Sequence, residues 1–160
     1  MSKRKKMKSL EIGNLGEFKF TSSTDLEKTI EMKMFGEEYE VFVFLEYCTS
    51  WELSDELIDI TIKFMDYLDK NIKKLEMKIL DYYQNEAKEM AKDQGWIDEY
   101  IHIDNAKGLS EVMELSEIQI CDFENGEFDI RMIFLCDWDD DEFMILFNKN
   151  FEIEEIGSYW

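Results

Sequence analysis

The residues best suited to chemistry stand together at Asp137-Trp138-Asp139-Asp140-Asp141-Glu142. Alternate carboxylates can converge on a hard cation such as calcium or magnesium, which takes oxygen ligands. The calcium-loop template tests this. With Asp137, Asp139 and Asp141 at positions one, three and five, Glu142 stands where glycine is needed and Asn148 where a bidentate glutamate is needed. The template fails, and a solvated acidic turn is the simpler reading. His102 is the only histidine, so any histidine-dependent mechanism must use it, with Asp104 on the same side if the segment is extended. Cys48, Cys121 and Cys136 lack paired metal-ligand spacing and read as small apolar fillers of a reduced protein. No nucleophile elbow, phosphate-cradling glycine loop, zinc pattern or dinucleotide fingerprint occurs. With 38 acids, no single carboxylate pair carries weight as a glycosidase signature. The expectation is a protein that is not an enzyme, with no cofactor and no metal; the alternative is a divalent-cation-binding or hydrolytic protein that uses the turn, with or without His102.

Charge directs attention to partners. The 160 residues hold 18 Lys+Arg against 38 Asp+Glu, a formal net charge of -20, which argues against nucleic acid as a ligand because duplex binding rests on cations that displace phosphate counterions. Lys3, Arg4, Lys5, Lys6 and Lys8 lie in the first eight residues, leaving 13 basic and 38 acidic residues in the body. From Gly95 to Trp160 there are 3 basic and 18 acidic residues, so the acidity is densest in the C-terminal part. No apolar run is long enough to span a bilayer, and the start of the chain lacks a signal-peptide pattern; the expectation is a cytoplasmic protein without membrane contact. Hydrophobic residues make up 45%, enough for a core. With no proline and 7 glycines, no segment reads as a linker, so residues 1–12 are expected to be a basic tail and 13–160 a single domain. Oligomeric state is left open.

The elements that would position these groups follow from periodicity. Glu17 to Phe20 and Thr29 to Phe35 alternate polar and apolar, and Tyr39 to Tyr47 is apolar on both faces at Val41 to Leu45, as in a central strand covered on each side. Gly36 marks an antiparallel hairpin between the last two. From Trp51 to Gly95, apolar residues at three- and four-residue spacing predict an amphipathic helix, with Thr49 or Ser54 as its cap and Gly95 as its left-handed stop. Forty residues would be about 60 Å long, so two helices, or one bent helix, dividing near Asp69-Lys70-Asn71 are expected. Ser116 to Phe123, Glu127 to Cys136, Phe143 to Phe147 and Phe151 to Ile156 predict a four-stranded antiparallel meander, with turns at Asn125-Gly126, Asp139 to Asp141 and Asn148 to Asn150. The order of strands, helices and strands is the α+β class. Trp51, Trp96, Trp138 and Trp160 read first as core residues.

Two segments carry a resemblance: Leu15-Gly16-Glu17-Phe18 with the Phe35-Gly36 hairpin and Ile79-Leu80-Asp81-Tyr82-Tyr83, and then Cys136-Asp137-Trp138-Asp139-Asp140-Asp141-Glu142-Phe143 with Ile156-Gly157. Together they resemble a loose family of bacterial domains of unknown function, some members of which resemble immunity proteins encoded beside secreted toxins. The late segment is similar to a Trp-Asp run that ordinarily continues Glu-His-Gly. Asp141-Glu142-Phe143 stands in that place, a departure at the histidine and the glycine. The resemblance implies a cytosolic binding protein without catalytic machinery. Its partner would be a basic protein, a toxin domain, held by Asp137, Asp139, Asp140, Asp141 and Glu142 with Trp138 as aromatic anchor.

Overall fold

A computed structural model describes residues 8–47, 55–123, 127–138 and 142–158. Eight strands form one sheet in chain order: β1 (Ser9–Glu11), β2 (Glu17–Phe20), β3 (Asp25–Met34), β4 (Glu37–Tyr47), β5 (Met113–Asp122), β6 (Phe128–Cys136), β7 (Phe143–Phe147) and β8 (Ile153–Ser158). Every neighbouring pair is antiparallel except β4 and β5, which run parallel. A parallel pair needs a crossover of a dozen residues or more. Here the crossover contains a helix: α1 (Asp55–Tyr82), a π-helical turn (Tyr83–Ala87) and α2 (Lys88–Gln94).

The protein is therefore α+β, but its C-terminal strands do not stand alone as a meander. They extend the N-terminal strands into a common sheet, with bounds at Met113 and Ser158 beyond those the alternation predicts. Ser9–Glu11, within the stretch expected to be tail, is an edge strand paired with β2. The chain does not divide near Asp69. Helix α1 runs through it, with Lys70 held to Asp66 at 2.9 Å and the Asn71 amide donating to the Tyr67 carbonyl at 2.8 Å. Weak propensity at three exposed or half-exposed positions is outweighed by Leu68 and Leu75, which are buried on either side of them. Length does not divide the run either: α1, the π turn and α2 are continuous over forty residues, about 60 Å, against eight strands that span about 34 Å at about 4.8 Å spacing. Irregularity comes instead at Tyr83–Ala87. The expected stop at Gly95 is present in left-handed geometry, φ 82° and ψ 18°. The suggested caps Thr49 and Ser54, with Cys48 and Trp51, lie outside the described residues, as do Trp160 and the Asn125-Gly126 turn.

At the β3–β4 hairpin both central residues take positive φ, Phe35 at 55° and Gly36 at 77°, between the paired Met34 and Glu37. That is the two-residue turn whose twist matches the flanking strands. Phe35 accepts an unfavourable backbone because its ring is fully buried, 6.2 Å from that of Phe134. The helix is seated by aromatic contacts. Phe64 lies 5.1 Å from Phe147 and 5.4 Å from Phe151, and Tyr82 lies 5.1 Å from Phe143. Val41, Val43, Leu45, Ile118, Ile120, Ile130, Met132, Ile145 and Phe147 supply the sheet's side of this core.

Phe64→Ala should cost about 3–5 kcal/mol, since it removes a large fully buried ring from between helix and sheet. Asp66→Ala should cost under about 0.5 kcal/mol, because its ion pair with Lys70 is exposed. Urea unfolding of the two variants checks both values.

Candidate functional site

Strand register decides which acids share a surface. Val43, Ile118, Met132 and Ile145 are aligned under the helix, so their chain neighbours point to the other face. Across that second face one row reads Lys19, Glu27, Phe44, Gln119, Arg131, Leu146 and Glu155. The next reads Thr29, Phe42, Glu117, Ile133 and Met144, and a third Asp25, Glu46, Cys121 and Asp129. Side-chain contacts agree with this. Gln119 donates to Glu117 at 3.1 Å, the Cys121 thiol approaches Glu46 at 3.9 Å, and Arg131 grips Asp129 through two bonds of 2.7 and 3.1 Å.

The face is an apolar band in an acidic frame. Phe42 and Phe44 are half-exposed and stacked at 6.3 Å, and belong to no part of the helix-side core. Among the described residues, the strand expected to be covered on both sides is covered by the helix on one, and on the other Phe42 and Phe44 stay half-exposed. Beside the phenylalanines lie Ile133 and Met144, both buried, then half-exposed Leu146 and Leu135, which is 43% exposed. Around them, from β3 to β8, stand Asp25, Glu27, Glu31, Glu38, Glu40, Glu46, Glu114, Glu117, Asp129 and Glu155, against Lys33 and Arg131. The negative field reaches Tyr39, whose hydroxyl is held above its ordinary range first by burial and then by Glu37 and Glu114.

Composition shows acidity concentrated in the C-terminal part, yet β3 and β4 contribute six of these acids by name. A signal was present in β4, where Glu38, Glu40, Phe42, Phe44 and Glu46 alternate with apolar residues and so lie on one side.

The acidic turn lies between β6 and β7. Asp137 is exposed and its N–H donates to the Val112 carbonyl at 2.9 Å, while Glu142 is half-buried. Asp139, Asp140 and Asp141 lie outside the described residues. Trp138 packs inward, its ring 5.2 Å from Tyr83 and 5.8 Å from Phe143. His102 and Asp104 do meet, Nε2 to Oδ1 at 2.7 Å, with both side chains mostly in solvent. Among the described residues no group of three His, Cys, Asp or Glu is placed to hold a metal. No described helix is long and apolar enough to cross a membrane.

The π turn has a positional role. Widening the helix at Tyr83–Ala87 frees main-chain groups, and the Tyr83 carbonyl accepts the Tyr100 hydroxyl at 3.0 Å. The Tyr83 hydroxyl in turn donates to the Ile101 carbonyl at 2.5 Å, and the Gln84 amide to that of Ile103 at 2.8 Å. The connection leading to β5 is thereby fastened to the helix. A different cavity, a groove of about 1050 Å³, runs between α1 and the outer edge of β3.

The model of the family described as Domain of unknown function (DUF6985) matches residues 14–160. The chain belongs to this family. No curated protein and no solved structure matches it. The DUF6985 match takes in β2 to β8, the helix and hence the open face from Glu17 onward, and begins after β1.

Burial, with Tyr100 next, pushes the Tyr83 hydroxyl well above the ordinary value of 10.0. In the unfolded chain the phenol ionises first, so its contribution to stability is complete below about pH 10 and is lost as pH rises beyond that. Tyr83→Phe should lower stability by about 1–2 kcal/mol at neutral pH and reduce the decline above pH 10. Denaturant titrations at a series of alkaline pH values check this.

Proposed function

We propose that this protein is a non-enzymatic binding domain that seats a basic surface of another protein on the open face of its sheet, in the manner of an antitoxin-type immunity protein of a bacterial toxin system. One observation carries the reading: an apolar band centred on Phe42 and Phe44 is left uncovered by the helix and framed by carboxylates from β3 to β8. Apolar area with an oppositely charged rim is what a specific interface needs, the band supplying affinity and the rim supplying steering and register. The face measures about 24 Å across six strands and about 26 Å along β4, roughly 600 Å², close to one side of a standard interface. The turn between β6 and β7, with Asp137 exposed, supplies a further acidic contact at one end of the sheet. Trp138 supports that turn from the core side.

The partner is a cationic protein domain of the kind that cuts nucleic acid, because a surface evolved to meet phosphates presents the charge this face complements. The test is calorimetric titration against a basic toxin domain encoded beside this chain's gene, at low and high salt. Binding should weaken as salt rises, and Phe44→Ala and the charge reversal Glu46→Lys should each weaken it by about tenfold or more while leaving the melting temperature nearly unchanged. Binding indifferent to salt and to both variants, or no binding, would reject the proposal. Titration with calcium, magnesium and manganese is the counter-test. Heat that disappears in Asp139→Ala and Asp141→Ala would assign the acidic turn to a cation instead.

A further inference from the structure

Among the described residues the sheet has an unfinished edge. β2 pairs with β3 only at Lys19↔Glu27 and Phe20↔Leu26, and the chain before β2 turns aside through Gly13–Leu15, while β3 runs on to Met34. The two-residue turn at Phe35-Gly36 makes Met34↔Glu37 a hydrogen-bonded pair, so Met34, Met32 and Ile30 direct their main-chain groups at β4. Glu31 and Lys33 therefore direct theirs the opposite way, onto the edge that β2 does not reach. The bond from the Thr21 N–H to the Asp25 carbonyl, 3.0 Å, fixes the same phase from the other end of the strand. This edge opens on the groove beside α1, where Ile30 and Met32 remain half-exposed opposite Ile62 and Met65.

We propose that this edge pairs with the same edge of a second copy of the chain, in a twofold antiparallel β3–β3 seam. Three registers are available near its middle. Centred on Ile30, the seam would set Lys33 of one copy opposite Glu27 of the other, a position already held by Lys19 of β2. Centred on Glu31, it would set that carboxylate against its own copy, which is destabilising. Centred on Met32, it sets Glu31 opposite Lys33 on both sides of the axis and Ile30 opposite Met34. The second strand then reaches its Phe35-Gly36 turn opposite Thr29, short of Glu27 and clear of β2.

Charge favours a second copy as the occupant. The groove is lined by Lys33, Lys63, Lys73 and Lys107 as well as by Glu31, Asp66, Asp69 and Glu76, a local balance in a chain with 18 basic and 38 acidic residues. Two chains of net charge -20 meet there with less repulsion than on the open face, and a twofold axis makes the Glu31–Lys33 pairing reciprocal. The seam takes Glu31 and Lys33 from the β3 border of that face and leaves the band at Phe42 and Phe44 free, so it does not require the function proposed above. Its salt dependence is opposite in sign: screening the net charges strengthens it.

Sedimentation velocity of the full chain over a concentration series, at low and high salt, tests this. A dimer is expected, favoured by salt. Glu31→Lys and Lys33→Glu alone should each weaken it about tenfold by turning attraction into repulsion, and the double exchange Glu31→Lys with Lys33→Glu should restore it. Circular dichroism of each variant shows that the fold is retained. A monomer at every concentration and salt, or a dimer indifferent to both single exchanges, would overturn the proposal.

Discussion

The organisation of this protein depends on the parallel pairing of β4 with β5. Two parallel neighbours cannot be joined by a tight turn, so the intervening chain must travel back over the sheet, and the amphipathic stripe of α1 decides which side it takes. Phe64, Tyr82 and their partners on β7 hold it there. One helix can cover one face. Among the described residues no helix covers the other face, which carries acids in its frame and half-exposed phenylalanines in its middle.

The two faces differ in chemistry because strand alternation separates them residue by residue. In β4, Val41, Val43 and Leu45 meet the helix while Phe42 and Phe44 do not. The π turn completes the arrangement at the far end. By releasing the Tyr83 carbonyl to Tyr100 and presenting the Tyr83 ring to Trp138, it ties helix, connection and acidic turn to one aromatic cluster. At the start of that turn Trp138 is held by the cluster while Asp137 beside it is exposed.

Much of this was legible in the residues. Gly36 and Gly95 mark a turn and a stop that only positive φ allows, and the Asn148 side chain accepts from the N–H groups of Asn150 and Glu152 in the turn where the sequence predicts one. What could not be read were facts about pairing between distant segments. Alternation tells that Val41 and Phe42 point apart but not that one side is left uncovered, and nothing local in β4 or β5 announces that they lie side by side and parallel. The division expected at Asp69 was misjudged because Leu68 and Leu75, buried on either side, outweigh the local propensity on which it rested. The acidic turn drew attention by its density, whereas the broader acidic face is assembled from residues scattered over five strands, β3 to β6 and β8.

The strand order has a bearing on how the chain reaches this state. Six of the seven connections between neighbouring strands are short, so most of the sheet can zip from local hairpins at little loop-closure cost, and only the β4–β5 contact must wait for residues 48–112 to be closed into a loop. With no proline in the chain, no slow peptide isomerisation competes with that closure for control of the rate. A chain in which the β4–β5 contact has not formed exposes an unpaired central edge on each half of the sheet, β4 on one and β5 on the other, the kind of edge through which chains associate wrongly. The carboxylates that frame the open face are charged in such a chain too, and with a net charge of -20 the repulsion between copies opposes that association.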